Sequence, residues 1–319
     1  MLLEERFVEF LETCRGQSEH NRRNYSQRLR SFLAQHGHKP PAAITAADVN
    51  TWQRELANRG LAPATIAGYR QAIKTLFSYC VEMGDIVRSP AAHLTIGTFA
   101  TSRTDKLPPE QAVCRVTELA NHWIASGRPQ RVRDGLIWLL SLHSGPRLGE
   151  IRNLLLDDVA AALRVGPDAY GVHRVPTMGK TGRVHIRFGG HVSQAFHTWL
   201  SVRPPGPARE CFVTTRGECR ALTRSAATHI YESICSAAGV TPPILSHALR
   251  HRLGHLTTRE FGPKVAALLL NHRAWQQPTT AIAFYHHPDE ADASRAIISR
   301  EGQSKDEELS YMRRLFGLE

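Results

Sequence analysis

The sequence is short of several things at once. It has no apolar run of about 18 residues, so nothing in it predicts a membrane span. No early stretch joins a basic start to an apolar core and a small-residue cleavage site, which argues against secretion. Its six cysteines, Cys14, Cys80, Cys114, Cys211, Cys219 and Cys235, are scattered and include no CxxC pair. They read as reduced, mostly buried thiols, and the expected location is the cytoplasm. Internal repeats and low-complexity tracts are missing as well. Acidic residues are in deficit, with 29 Asp and Glu facing 40 Lys and Arg, for a formal charge of +11. Arginine supplies most of the excess, and its planar fork of donors suits phosphate groups. A polyanionic partner follows from this, although charge alone also fits a basic protein with no nucleic-acid role.

What is present suits a folded chain of two domains: 319 residues, 42% of them hydrophobic and 22% charged. The first hundred residues show only helical periodicity. Leu3, Phe7, Phe10, Leu11 and Cys14 form one apolar stripe, and Tyr25, Leu29, Phe32 and Leu33 form another after Ser18, a candidate cap. Thr45 and Asp48 predict a capping box for a helix carrying Val49, Trp52 and Leu56, stopped by Gly60. Ile66, Tyr69, Ile73, Leu76, Phe77 and Cys80 make the fourth stripe, ended by Gly84. Four short-linked amphipathic helices imply a small bundle over residues 1–96. Arg22, Arg23, Arg28, Arg30, Arg70 and Lys74 fall on its polar faces, as a DNA-facing surface or as ordinary solvated charge.

Residues 97–107 have little periodicity and read as a linker. Over 108–319 the pattern is mixed, with helices expected near 110–126 and 131–143, a strand-rich patch over 154–188, and further helices from 190 onward. The expected fold class is therefore mainly α, a helical N-terminal bundle followed by a mixed α+β domain with a small antiparallel sheet.

Five places in that second part carry polar groups suited to chemistry. In His143-Ser-Gly-Pro-Arg-Leu-Gly-Glu-Ile-Arg152, Arg147 opens a helix and stands three residues from Glu150. Alternation around Gly179-Lys180-Thr181-Gly182 predicts a β-hairpin with Lys180 at its tip. His247 and Arg250 share a helix face, and His251 and His255 continue the series at a spacing that raises metal binding; no HExxH or matching carboxylate accompanies them. His272 follows an apolar helix end, and Tyr285 sits in a helix-like segment beside Ile282. Singly, these have ordinary explanations: a surface ion pair, an exposed turn lysine, a structural histidine, a core tyrosine. Together they suit metal-free phosphoryl transfer, in which fixed donors stabilise dispersed negative charge and a tyrosine hydroxyl attacks phosphorus.

This ordered set resembles the tyrosine recombinase (phage integrase) family across nearly the whole chain, in the two-domain form without an arm-binding domain. SGPRLGE resembles the family's first arginine box, TGLRxxE, and His247 with Arg250 matches its HxxR box. The resemblance implies that residues 1–96 form the core-binding domain, which grips DNA as half of a clamp, and that 108–319 form the catalytic domain. It implies that Arg147 and Arg250 bind the scissile phosphate, with Glu150 in support. Lys180 would be the general acid, His247 would assist proton transfer, His272 would hydrogen-bond the phosphate and Tyr285 would form a 3′-phosphotyrosine. The implied function is site-specific DNA recombination through a Holliday junction, serving integration, excision, transposition or resolution. The partners would be double-stranded DNA with specific recombination sites and further copies of the chain in a tetrameric synaptic complex, with room for accessory DNA-bending proteins. No cofactor, metal or membrane is implied. A topoisomerase-like nicking and resealing enzyme and a non-catalytic DNA-binding protein are the alternatives. The sequence departs from the family in three places: Ser-Gly-Pro before Arg147, Asn271 where glycine is usual, and a longer interval from His272 to Tyr285. Tyr311, Leu315 and Phe316 form a final helical face, which the resemblance links to packing on a neighbouring subunit or onto its own domain.

Overall fold

The computed structural model describes residues 1–13, 19–96, 107–180, 182–271 and 292–302. The chain divides into two compact units, residues 1–101 and 102–319. Among the described residues no helix is long and apolar enough to cross a membrane.

The first unit holds α1 (Leu3–Thr13), α2 (Glu19–His36), a 3-10 turn (Pro41–Ala43), α3 (Ala46–Asn58) and α4 (Pro63–Glu82). The four predicted stripes face one core: Leu3, Phe7, Phe10, Leu29, Phe32, Trp52, Leu56, Leu76 and Phe77 are all buried. Phe32 stands edge-on to both Trp52 and Phe77, with ring centroids 5.3 and 6.0 Å away. The Trp52 indole N–H reaches Ser31 Oγ at 2.9 Å, so burying that ring leaves no donor unmatched. Thr45 and Asp48 form the capping box, and Gly60 and Gly84 take the positive φ that ends α3 and α4. Two of the basic residues assigned to the polar faces also serve the fold. Lys74 donates to the Leu94 carbonyl at 2.8 Å and Arg70 to the Thr95 carbonyl at 3.3 Å, tying the stretch before residue 97 back onto the bundle. Cys14, Ser18 and residues 97–106 lie outside the described residues.

In the second unit, α5 (Glu110–Ala125), α9 (Gly190–Val202), α10 (Arg224–Ala237) and α11 (Ser246–Phe261) surround α6 (Pro129–Ser144). From Val132 to Ser144 every residue of α6 is buried. Several of its polar groups are paired: Ser141 Oγ with Tyr231 Oη at 2.6 Å, and Arg133 with Asp134 and the Val213 carbonyl. Close approach of α5 needs Gly135, where a Cβ would stand 2.6 Å from the Ala120 carbonyl oxygen.

The expected strand-rich patch over 154–188 begins with a helix. A short α7 (Leu148–Arg152) leads to α8 (Leu156–Val165), and only then do β1 (His173–Gly179) and β2 (Gly182–Phe188) pair antiparallel. The signal for α8 was present: Leu156, Val159 and Leu163 keep helical spacing, and Asp157 and Asp158 favour the first turn. After α11 come α12 (Pro263–Leu269) and a helical stretch over 292–302. This last stretch is pinned to the unit. Ser294 donates to Asp168 at 2.7 Å, and the Glu301 carboxylate accepts from the backbone N–H groups of Gly189 and His191 at the start of α9.

Candidate active site

The site begins where α6 stops. Gly145 adopts a left-handed conformation (φ 58°, ψ 32°) that ends the helix and turns the chain into Pro146 and Arg147. A side chain there would be strained and crowded, since a Cβ would meet Leu253 at 2.8 Å and Leu270 at 2.9 Å. Arg147 is the N-cap of α7 in extended conformation, not the helical residue that the sequence predicts. Glu150, at the third helical position, accepts from the Arg147 backbone N–H and from its guanidinium, both at 2.8 Å. This carboxylate is buried, so the pair is shielded on its acidic side and open on its basic side.

Arg250 lies on α11, between the buried Leu249 and Leu253. Its guanidinium donates to the carbonyl of Gly145 at 2.6 Å and to the carbonyl of Leu270, just past α12. Two fixed acceptors therefore orient the fork and leave its other N–H groups for a ligand. Burial, helped by the nearby positive charge of Arg147 and opposed by Glu150, pulls its pKa down to about 10, so it remains charged at neutral pH. Arg147, His247, Arg250, His251 and His255 line one cleft of about 390 Å³, floored by Ala266 and Leu270. The rings of His247 and His251 meet edge-on at 4.3 Å. Among the described residues no three metal-ligating side chains converge.

Lys180 is exposed at the hairpin tip and is not among the residues lining the cleft. Its hairpin is seated on α7. Thr177 Oγ1 donates to the Glu150 carbonyl at 2.9 Å, Asn153 Nδ2 donates to the Met178 carbonyl at 2.8 Å, and a Cβ on Gly179 would come within 3.1 Å of Glu150 Oε1. The structure thus gathers Arg147, His247 and Arg250 in one cleft, with Glu150 behind Arg147 and Lys180 on an element docked beside them. His272, Tyr285 and residues 303–319 lie outside the described residues, but Asn271, directly before His272, does not. Asn271 has φ 51°, the left-handed region that glycine and asparagine tolerate best, so asparagine can meet the same backbone demand as glycine. Sequence reasoning weighed His251 and His255 only as metal ligands, and it gave Asn271 and Thr177 no role at all.

Comparison with known proteins places these features in a family. Residues 112–291 match the "Phage integrase family", and residues 3–83 match "Phage integrase, N-terminal SAM-like domain". The tyrosine recombinase XerC of Mycobacterium sp. (strain KMS) is 30% identical over 278 residues, covering 83% of this chain and 88% of that protein. A Tn1549 transposon integrase in complex with transposon right end DNA has a similar fold: TM-score 0.64, 18% identity, 94% of this chain and 99% of that one. A lambda integrase tetramer bound to a Holliday junction gives a TM-score of 0.63 at 15% identity, over 88% of this chain and 79% of that one.

Proposed function

Since the chain belongs to the phage integrase family of tyrosine recombinases, we propose that it cuts and rejoins double-stranded DNA at specific sites through a 3′-phosphotyrosyl bond at Tyr285. The observation that carries this reading is the setting of Arg250. A buried arginine, fixed by two backbone carbonyls and facing a cleft beside Arg147 and His247, suits one tetrahedral phosphate in transit between two oxygens.

In the proposed reaction Arg147 and Arg250 hold the non-bridging oxygens of the scissile phosphate, and Glu150 keeps Arg147 in place. The Tyr285 oxygen attacks phosphorus while its proton passes to His247. The bond to the 5′ oxygen breaks, and Lys180 protonates that leaving oxygen. His272 donates a hydrogen bond to the phosphate. The bond energy is retained in the phosphotyrosine, so a 5′ hydroxyl can reverse the attack and reseal the strand without ATP. No cofactor or metal takes part.

Residues 1–96 would serve as the DNA-gripping domain and 108–319 as the catalytic domain, acting in the cytoplasm. Strand exchange would run in two rounds through a Holliday junction within a tetramer on two sites, as the lambda integrase tetramer on its junction suggests. DNA carrying two target sites tests the outcome. Exchange of flanking sequence supports recombination, whereas relaxation of supercoils with no exchanged product would favour a topoisomerase-like enzyme.

A further inference from the structure

The hairpin that carries Lys180 is held from two directions. On its first strand, Thr177 and Asn153 tie it to α7, the element that presents Arg147 and Glu150. On its second strand the tie comes from Asn271. Its Nδ2 group donates to the His185 carbonyl at 2.8 Å, and Arg187 Nη1 lies 3.4 Å from both Asn271 Oδ1 and that same carbonyl. The strand register explains why His185 offers an acceptor. Hydrogen-bonded pairs alternate along the ladder from Gly179 opposite Gly182, so Pro176 and His185 face each other where polar groups point away from the partner strand. Pro176, which has no N–H, is tolerated at such a position, and the His185 carbonyl is left to the sheet's outer edge.

Asn271 is itself fixed. The carbonyl of Leu270, one residue earlier, accepts from Arg250, and the left-handed backbone at Asn271 aims its side chain back at β2. The chain of contacts therefore runs from Arg250 through the turn after α12 to β2, and from Arg147 and Glu150 through α7 to β1. The hairpin bridges the two arginines of the cleft.

We propose that Asn271 is a positioning residue, which registers the Lys180 hairpin against the turn held by Arg250 and so sets where the lysine meets the leaving 5′ oxygen. The proposal rests on the reading of Lys180 as proton donor. A glycine at position 271 would supply the same backbone conformation without the tie.

The test uses the full-length protein and a nicked duplex obtained by covalent capture of a randomised DNA library on the wild-type chain. Single-turnover cleavage is followed on two versions of that duplex, one with the ordinary 5′ oxygen and one with sulfur in its place. Sulfur departs as a thiolate and needs no proton, so only the oxygen substrate reports on the general acid. Lys180→Ala should slow the oxygen substrate alone; slowing of both substrates, or of neither, overturns the assignment of Lys180 beneath the proposal. Asn271→Gly should slow the oxygen substrate by about 10- to 100-fold, the scale of a small misplacement of a reacting group, with the sulfur rate changed by less than about twofold. In a Lys180→Ala background the same substitution should have no further effect on the oxygen rate, because both changes act through one group. Equal losses on both substrates, or an additive loss in the double variant, would make Asn271 a structural residue and overturn the inference. Thr177→Val, which removes one of the two ties on β1, should reproduce the oxygen-selective loss and serves as the second variant if Asn271→Gly fails to fold.

Discussion

Arg250 donates to the carbonyls of Gly145 and Leu270 from a buried position on α11, and those two carbonyls belong to the turns before Arg147 and before Asn271. One guanidinium thus orders both loops while facing the cleft, a task for a planar fork that a lysine cannot copy. Arg250→Lys should lower single-turnover cleavage by about 100-fold or more, the usual cost of losing a fixed donor to developing charge, and should lower the melting temperature as well. Gly145→Ala should destabilise the chain in urea by about 1–3 kcal/mol, from the left-handed backbone alone, before any crowding against Leu253 and Leu270. His143, at the end of α6, carries a pH signature. Burial, with smaller contributions from His191 and Arg252, pushes its pKa down to about 3, so the folded chain keeps it neutral. The unfolded chain takes up that proton once the pH drops below about 6.5, so this contribution to stability is complete above that pH and is lost as pH falls toward 3. Each unit of acidification in that window costs up to about 1.4 kcal/mol. Asp48 and Asp168, whose pKa values are lowered, act only in more acid solution. Urea titrations at pH 7 and pH 5 should show a stability loss that is smaller in His143→Phe; an unchanged loss would contradict this account.

At the level of elements, helices were legible wherever an apolar stripe met punctuation. The four stripes of the first unit, the capping box at Thr45 and the stops at Gly60 and Gly84 are all in place because their causes are local. Thr45→Ala should therefore cost about 1 kcal/mol in urea denaturation, whatever the rest of the chain does. The hairpin at Gly179 and Gly182 was legible for the same reason. What stayed hidden depends on distant partners. Residues 156–165 fall inside the expected strand-rich patch but form α8, whose Leu156, Val159 and Leu163 keep helical spacing with only Val159 buried. The meeting of Arg147, His247 and Arg250 in one cleft needs α11 to cross the end of α6, which no spacing within the sequence displays. In the same way Asn271 stood out only as an exception to glycine; its contact with β2 spans 86 residues of chain.

For the whole molecule, the charge of +11 and the family membership make DNA the partner to test. Binding should weaken steeply with salt, by roughly 1,000-fold between 50 and 200 mM if about six phosphates are contacted. A filter-binding or fluorescence titration that stays flat over this range would count against a phosphate-gripping chain. The central claim, however, is covalent chemistry at Tyr285, and one gel tests it. The captured nicked duplex is incubated with the chain in the presence of chelator and without ATP, then resolved under denaturing conditions. The account predicts a protein–DNA adduct for the wild type and none for Tyr285→Phe; an adduct that persists in the variant, or that vanishes with chelator, would contradict it.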